Sequence, residues 1–174
     1  QRWAFVSTAN AVDVGDLTLA TRSGSSSSSS THGFAVGGEN SGPTAGHTDT
    51  IGKFSFATGS EDAVDHGNLN VSRKASAGNS SATHGFHGGG HNGSAAINSI
   101  DRFAFSSNTT ATDWADLVSS HYVLAGTSST TYGYSHGGNG PINTVQKFPY
   151  ASQTNATDVG DLIASRFETA GCQY

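Results

Sequence analysis

Residues 65–105 read DHGNLNVSRKASAGNSSATHGFHGGGHNGSAAINSIDRFAF, and every landmark in this stretch returns elsewhere in the chain. It opens on Asp65-His66-Gly67-Asn68-Leu69, passes His84-Gly85-Phe86 and the pair Gly89-Gly90, and closes on Phe103/Phe105. Upstream the same order appears as Asp13–Leu17, His32-Gly33-Phe34, Gly37-Gly38 and Phe54/Phe56. Downstream it appears as Asp113–Leu117, Tyr132-Gly133-Tyr134, Gly137-Gly138 and Phe148/Tyr150. Trp3/Phe5 and Asp158–Leu162 add partial copies towards the two ends. The aromatic pair recurs at steps of 51, 49 and 45 residues, and a period of that size marks a chain built from stacked supersecondary units. We therefore expect residues 1–174 to form one repeat domain, with units starting near 1, 50, 99 and 144 and both ends falling within a unit.

Spacing inside the unit is nearly fixed. His32, His84 and Tyr132 each lie 15 residues after the leucine of their unit. A basic residue follows that leucine closely, as Arg22, Arg73, His121 and Arg166. Length changes chiefly in one place: from the second glycine of the pair to the next aromatic is 16, 13 and then 10 residues. The tolerant segments are Glu39–Asp49, His91–Asn98 and Asn139–Asn143. Surface loops accept insertions and carry binding residues.

Composition narrows the class. Leu, Ile, Val and Phe number only 30 of 174 residues, a level that suggests disorder when it comes with high net charge. Here the formal net charge is −5 and the apolar residues keep to a schedule, which favours an ordered, lean β-repeat protein. Mild acidity argues against nucleic acid as a partner, because phosphate binding needs a basic stripe. No run of apolar residues is long enough to span a membrane as a helix. No secretory leader pattern and no initiator Met stand at Gln1, so we expect a processed product or a fragment. The single Cys172 excludes an internal disulfide framework and is read as a free thiol.

Strands follow from the landmarks. Thr50–Phe56, Ser99–Phe105 and Thr144–Tyr150 are short, β-rich and bounded by Gly, Asn and Ser. Ile51 and Phe54 have opposite parity, so both faces of that strand carry large apolar groups. Two covered faces imply sheets stacked on either side. Trp114, Leu117, Val118, His121 and Tyr122 fit a helical period. However, Gly15, Gly67 and Gly160 fall inside the same span in the other copies, and each would cost a helix about 1 kcal/mol. A strand is the consistent reading. Each unit then has four strands: one after the basic residue, one ending in Gly-Gly, one holding the aromatics and an outer one at Asp-x-Gly-Asp-Leu.

In order, Arg73, Phe86, Gly89-Gly90, Phe103/Phe105 and Trp114-x-x-Leu117 resemble a kelch-type β-propeller repeat. Its Trp position holds Val14, His66 and Val159 in the other copies. The phrases FSFAT, DVGDLTLA and SSSTHGFAVGG are similar to kelch-like repeats in virion or tail proteins of environmental bacteriophages. The resemblance implies an all-β fold of about 3.5 four-stranded blades, part of a larger propeller or assembly. It also implies an extracellular or virion location.

Candidate sites are few. The variable segments supply the expected binding residues: Glu39, Asn40, His47, His91, Asn92 and Asn139. The Asp columns could offer oxygen ligands to calcium, but Asp and Gly at this spacing better suit backbone turns. His87 and His91 flank three glycines like a metal clip, yet no other copy repeats the pair. His32 and His84 share a column with Tyr132, which points to a packing or hydrogen-bonding slot. The Ser25–Ser30 tract reads as a tolerant turn. Sequons at Asn70, Asn79, Asn92, Asn108 and Asn155 matter only in a glycosylating pathway. No catalytic residue, metal or cofactor is expected. The expected role is a non-enzymatic structural and attachment module, with other copies, virion or surface proteins and surface glycans as partners. A filament subunit sharing strands between chains, or a glycan-active enzyme, are the alternatives.

Overall fold

The computed structural model describes residues 1, 10–40, 46–57, 61–140, 142–166 and 170–171. Trp3/Phe5 and Cys172 therefore lie outside the described residues, as do parts of the first and third variable segments. The fold is all-β, without a helix among those residues. The first third of the chain forms β1 (Thr21–Arg22), β2 (Ser25–Ser28), β3 (His32–Val36), β4 (Glu39–Asn40), β5 (Gly46–His47), β6 (Thr50–Ser55) and β7 (Val64–Asn68). The middle forms β8 (Ala77–Ser80), β9 (His84–Gly88), β10 (Ser99–Ala104) and β11 (Thr112–Asp116). The last part forms β12 (Ala125–Ser128), β13 (Tyr132–His136), β14 (Thr144–Pro149) and β15 (Thr157–Asp161). Trp114 thus lies on a strand, as the glycines of the other copies require.

Three antiparallel sheets repeat one plan: β2-β3-β6-β7, β8-β9-β10-β11 and β12-β13-β14-β15. Each carries a register shift at the same point, after Ile51, Ile100 and Val145. A fourth, smaller sheet, β1-β4-β5, was not legible in the sequence. Its strands are two residues long, too short to leave a period.

The sheets meet closest along their first strands. Ser28 donates its backbone N–H to Ser80 Oγ at 2.9 Å, and Ser80 does the same to Ser128 Oγ at 2.9 Å. Asn79 donates its side-chain amide to the carbonyls of Thr127 (2.6 Å) and Tyr134 (3.0 Å) in the next sheet. Ser26, Gly78, Gly126 and Gly171 form a column in which each glycine backs onto the carbonyl of the residue before it. This corrects the reading of Ser25–Ser30 as a turn. Ser25–Ser28 are strand β2, and small side chains are needed because backbone packs on backbone there. Only the tip of the tract turns, where Ser29 Oγ accepts the N–H groups of Thr31 and His32. Ser81 and Ser129 repeat that cap.

Farther along the sheets the gap widens and aromatic rings fill it. Phe34 stacks on Phe105 with centroids 4.7 Å apart and meets Phe103 edge-on at 5.4 Å. One sheet later Phe86 stacks on Tyr150 at 4.7 Å and meets Phe148 at 5.7 Å. Such pairs add about 0.5–1.5 kcal/mol beyond the area they bury. Two cores result, one around Phe34, Ile51, Leu69 and Phe103, the other around Phe86, Ile100, Leu117 and Phe148. The small residues of the first strands and the rings of the third strands thus make a wedge, and few large apolar residues suffice. Each ring also lies across its own sheet. A Cβ on Gly85 would stand 2.6 Å from Phe103 and 2.6 Å from Ser27 Oγ, which explains the glycine of His-Gly-Phe.

The outer strands refine another expectation. Asp-x-Gly sits within the fourth strand in β7 and β15, not at a turn between strands. Asp65 accepts the Gly67 N–H at 2.9 Å and Asp158 that of Gly160 at 3.0 Å. The outer strand and the local side-chain bond both match expectation, but the bond forms within that strand rather than at a turn. Successive units are also tied at this edge, with Ala63, Ala111 and Ala156 donating N–H to Asp16, Asn68 and Asp116 (2.7–2.8 Å).

Gly78→Ala tests the first-strand contact. The new methyl would meet the Ser26 carbonyl, which is backbone and has no rotamer to yield. We expect a loss of about 1–3 kcal/mol, as for an overpacked core, measured by urea unfolding. An unchanged midpoint would show that the sheets slide apart freely.

Candidate functional site

The variable loops gather into one polar ridge along the edge where the second strands end. Glu39 on β4 pairs with Arg22 on β1 and His47 on β5. Its carboxylate binds Arg22 at 3.0 Å and Lys74 Nζ at 2.7 Å. Hydrogen bonds from Arg22 and then Lys74 pull its pKa down to about 2. Lys74 exchanges backbone hydrogen bonds with His91 (3.0 and 3.1 Å). The His91 ring lies 5.6 Å from His47 and 5.3 Å from Tyr122. Tyr122 in turn exchanges backbone contacts with Asn139, donating N–H to Asn139 Oδ1 at 3.1 Å and accepting the Asn139 N–H at 2.8 Å.

Glu39, His47, His91 and Asn139 are therefore linked through Lys74 and Tyr122. Asn40 lies on β4 opposite Thr21 and Gly46. Asn92 is exposed at the tip of the second loop, where its Oδ1 accepts the N–H groups of Ser94 and Ala95, each at 2.9 Å. Burial lowers the His47 pKa, with the Lys74 charge adding to the effect and Glu39 opposing it. Sequence reasoning missed Arg22, Lys74 and Tyr122 as ridge members. In a chain with only 12% charged residues, the adjacent cations Arg73-Lys74 were the available signal.

Arg73 and Lys74 have opposite fates. Arg73 turns inward and is fully buried, donating to the carbonyls of His87, Gly89 and Ser99 (2.8–3.2 Å) and to Asp101 at 2.7 Å. Asp101 also accepts the N–H of Asn70 at 2.7 Å, so the pair bolts the corner after β7 to the second sheet. Burial pulls the Arg73 pKa down and pushes that of Asp101 up, and each charge opposes the shift of the other.

His87 is buried too, with Nδ1 2.7 Å from Ser25 Oγ and its ring stacked on Phe103 at 5.9 Å. It is part of the packing between sheets, while His91 is on the ridge. Among the described residues no three His, Cys, Asp or Glu side chains are grouped to hold a metal ion. His32 and His84 both place Nδ1 2.8 Å from the preceding threonine hydroxyl. Of the sequon asparagines, Asn79 is buried between sheets.

An open groove runs along the first hairpins. It is lined by hydroxyls and small groups, including Ser28, Ser80 and Ser128 and the tips at Ser30, Ala82 and Thr130. Among the described residues no carboxylate or imidazole lines it.

No protein-family model matches this chain, and no curated protein matches it. Among the described residues no helix is long and apolar enough to cross a membrane.

Proposed function

We propose that this chain is a non-enzymatic structural and attachment module of a virion or extracellular assembly. In this reading its sheets are kelch-like β-propeller blades, and its loop ridge contacts partner proteins or surface glycans. Sheets with strands in sequence order, closest along their first strands and wedged apart by rings farther out, have the layout of blades. The observation that carries the functional reading is the ridge itself. The one segment free to vary in length contributes, unit after unit, to a single polar surface on a repeated scaffold, which is how repeat proteins present binding residues.

The hydroxyl-lined groove counts against a glycan-active enzyme, which needs convergent carboxylates. The filament reading keeps one supporting observation: Val159 on β15, the edge strand of the third sheet, and Ile163 just beyond it are exposed, Ile163 completely.

The test is glycan-array and cell-surface binding by the chain and by a Glu39→Ala, Lys74→Ala, Tyr122→Ala variant. The proposal expects binding without turnover of the ligand, and loss of at least tenfold in the variant at an unchanged unfolding midpoint. Hydrolysis of a bound glycan, or binding indifferent to all three substitutions, would overturn it.

A further inference from the structure

The second variable loop holds a chemical arrangement that attachment does not require. We propose that Asn92-Gly93 is a self-modification site, at which the Asn92 side-chain amide cyclises onto the backbone and hydrolyses to aspartate and isoaspartate. The inference does not rest on the attachment reading.

Three parts of the reaction are in place. The nucleophile is the backbone nitrogen of Gly93, whose N–H donates to His91 Nδ1 at 3.0 Å. That hydrogen bond makes Nδ1 the acceptor and places the imidazole proton on Nε2. A base within hydrogen-bond reach of the proton it must remove meets the geometric requirement for general-base catalysis. The electrophile is Asn92 Cγ, and its Oδ1 accepts two backbone N–H groups, from Ser94 and Ala95, both at 2.9 Å. Paired donors of this kind stabilise the negative charge that gathers on a carbonyl oxygen under attack. Gly93 offers no side chain to obstruct the approach, and residues 92–95 are exposed to the water that the second step consumes.

The balance is complete without a further reagent. His91 Nδ1 takes the proton of Gly93 N–H as the N–Cγ bond forms. The tetrahedral carbon then expels its amino group, which leaves as ammonia with the proton returned by the imidazolium. Water opens the resulting five-membered imide at either carbonyl, giving aspartate or isoaspartate at position 92. The product is a carboxylate on the residue that follows His91, beside a ridge that also carries Lys74 and His47.

The molecule contains its own control. Asn139-Gly140 has the same dipeptide, and Gly140 has a similar left-handed backbone (φ +95°, against +100° at Gly93). There, among the described residues, Asn139 Oδ1 accepts the Tyr122 N–H alone, and no imidazole accepts the Gly140 N–H.

The experiment incubates the intact chain at neutral pH and 37 °C and follows both sites by peptide mass spectrometry, with enzymatic methylation to detect isoaspartate. Asn92 should convert at least about tenfold faster than Asn139, and His91→Ala should slow Asn92 by about tenfold or more. Added imidazole should restore the rate in that variant, which separates a lost base from a loosened loop. Equal rates at the two sites overturn the proposal even if the variant does not fold. An unchanged or faster rate in His91→Ala, or a slow one that imidazole does not raise, also overturns it.

Discussion

Replacing Arg73 with alanine should destabilise the protein by about 3–5 kcal/mol, the cost of leaving one member of a buried ion pair without its partner. The expectation is specific to this unit. Asp101 would remain at 0% exposure with its charge unanswered, and three carbonyls now served by the guanidinium would lose a donor. The corner at Asn70 and Val71 would lose its anchor as well, since both N–H groups rest on the same carboxylate. Arg166 occupies the matching position in the last unit and Arg22 lies one residue past it in the first, in the column of Lys74; both are exposed, and their replacement should stay within about 0.5 kcal/mol. Urea unfolding of the three variants checks this. A loss below about 1 kcal/mol for Arg73→Ala, or equal losses at all three positions, would show that the buried pair holds nothing together.

Acid should expose the second large effect. Burial lowers the His87 pKa to about 3 from an ordinary 6.5, and the Arg73 charge adds to the shift. Below pH 6.5 the unfolded chain takes up a proton that the folded chain refuses. Stability contributed by the neutral ring is therefore complete above pH 6.5 and lost as pH falls towards about 3. The slope is up to about 1–1.5 kcal/mol per pH unit. His32, His47, His84 and His136 are also lowered, chiefly by burial, and contribute with the same sign. The measurement is thus the difference between the chain and His87→Leu, each unfolded by urea from pH 7 to pH 4. The variant should show the shallower profile. Parallel profiles would mean that the folded chain protonates the His87 ring as readily as the unfolded chain does, and would overturn the expectation.

Much of this architecture is written in the spacing. The four strands of each unit, the rejection of a helix at Trp114 and the two covered faces around Ile51 and Phe54 all follow from parity and from glycine. Other features have no period to betray them. The Ser tract at 25–30 reads as punctuation, because serine is common in turns. What decides its conformation is the closeness of Gly78 in another unit, 52 residues away from Ser26. Arg73 and Lys74 are neighbours of one type, yet one is buried and one is on the ridge. That choice depends on Asp101, whose column holds Gly52 and Gln146 in the other units. The ridge residues Glu39, His47, His91 and Asn139 are legible from loop-length variation alone. Lys74 and Tyr122, which connect them, are not, because they lie in the regular part of the unit.

The way the first strands meet also bears on temperature. Sheets usually associate by burying apolar area, and exposing that area on unfolding raises the heat capacity, whereas exposing polar surface lowers it. Here Ser28, Ser80, Ser128 and Asn79 join the sheets through hydrogen bonds to backbone, and glycine brings the backbones together without apolar side chains. Unfolding therefore adds less heat capacity per residue than it does in a protein cored by leucine and valine. The expected consequence is a flatter, broader stability curve, with the polarity of the narrowest contact widening the range between cold and heat unfolding.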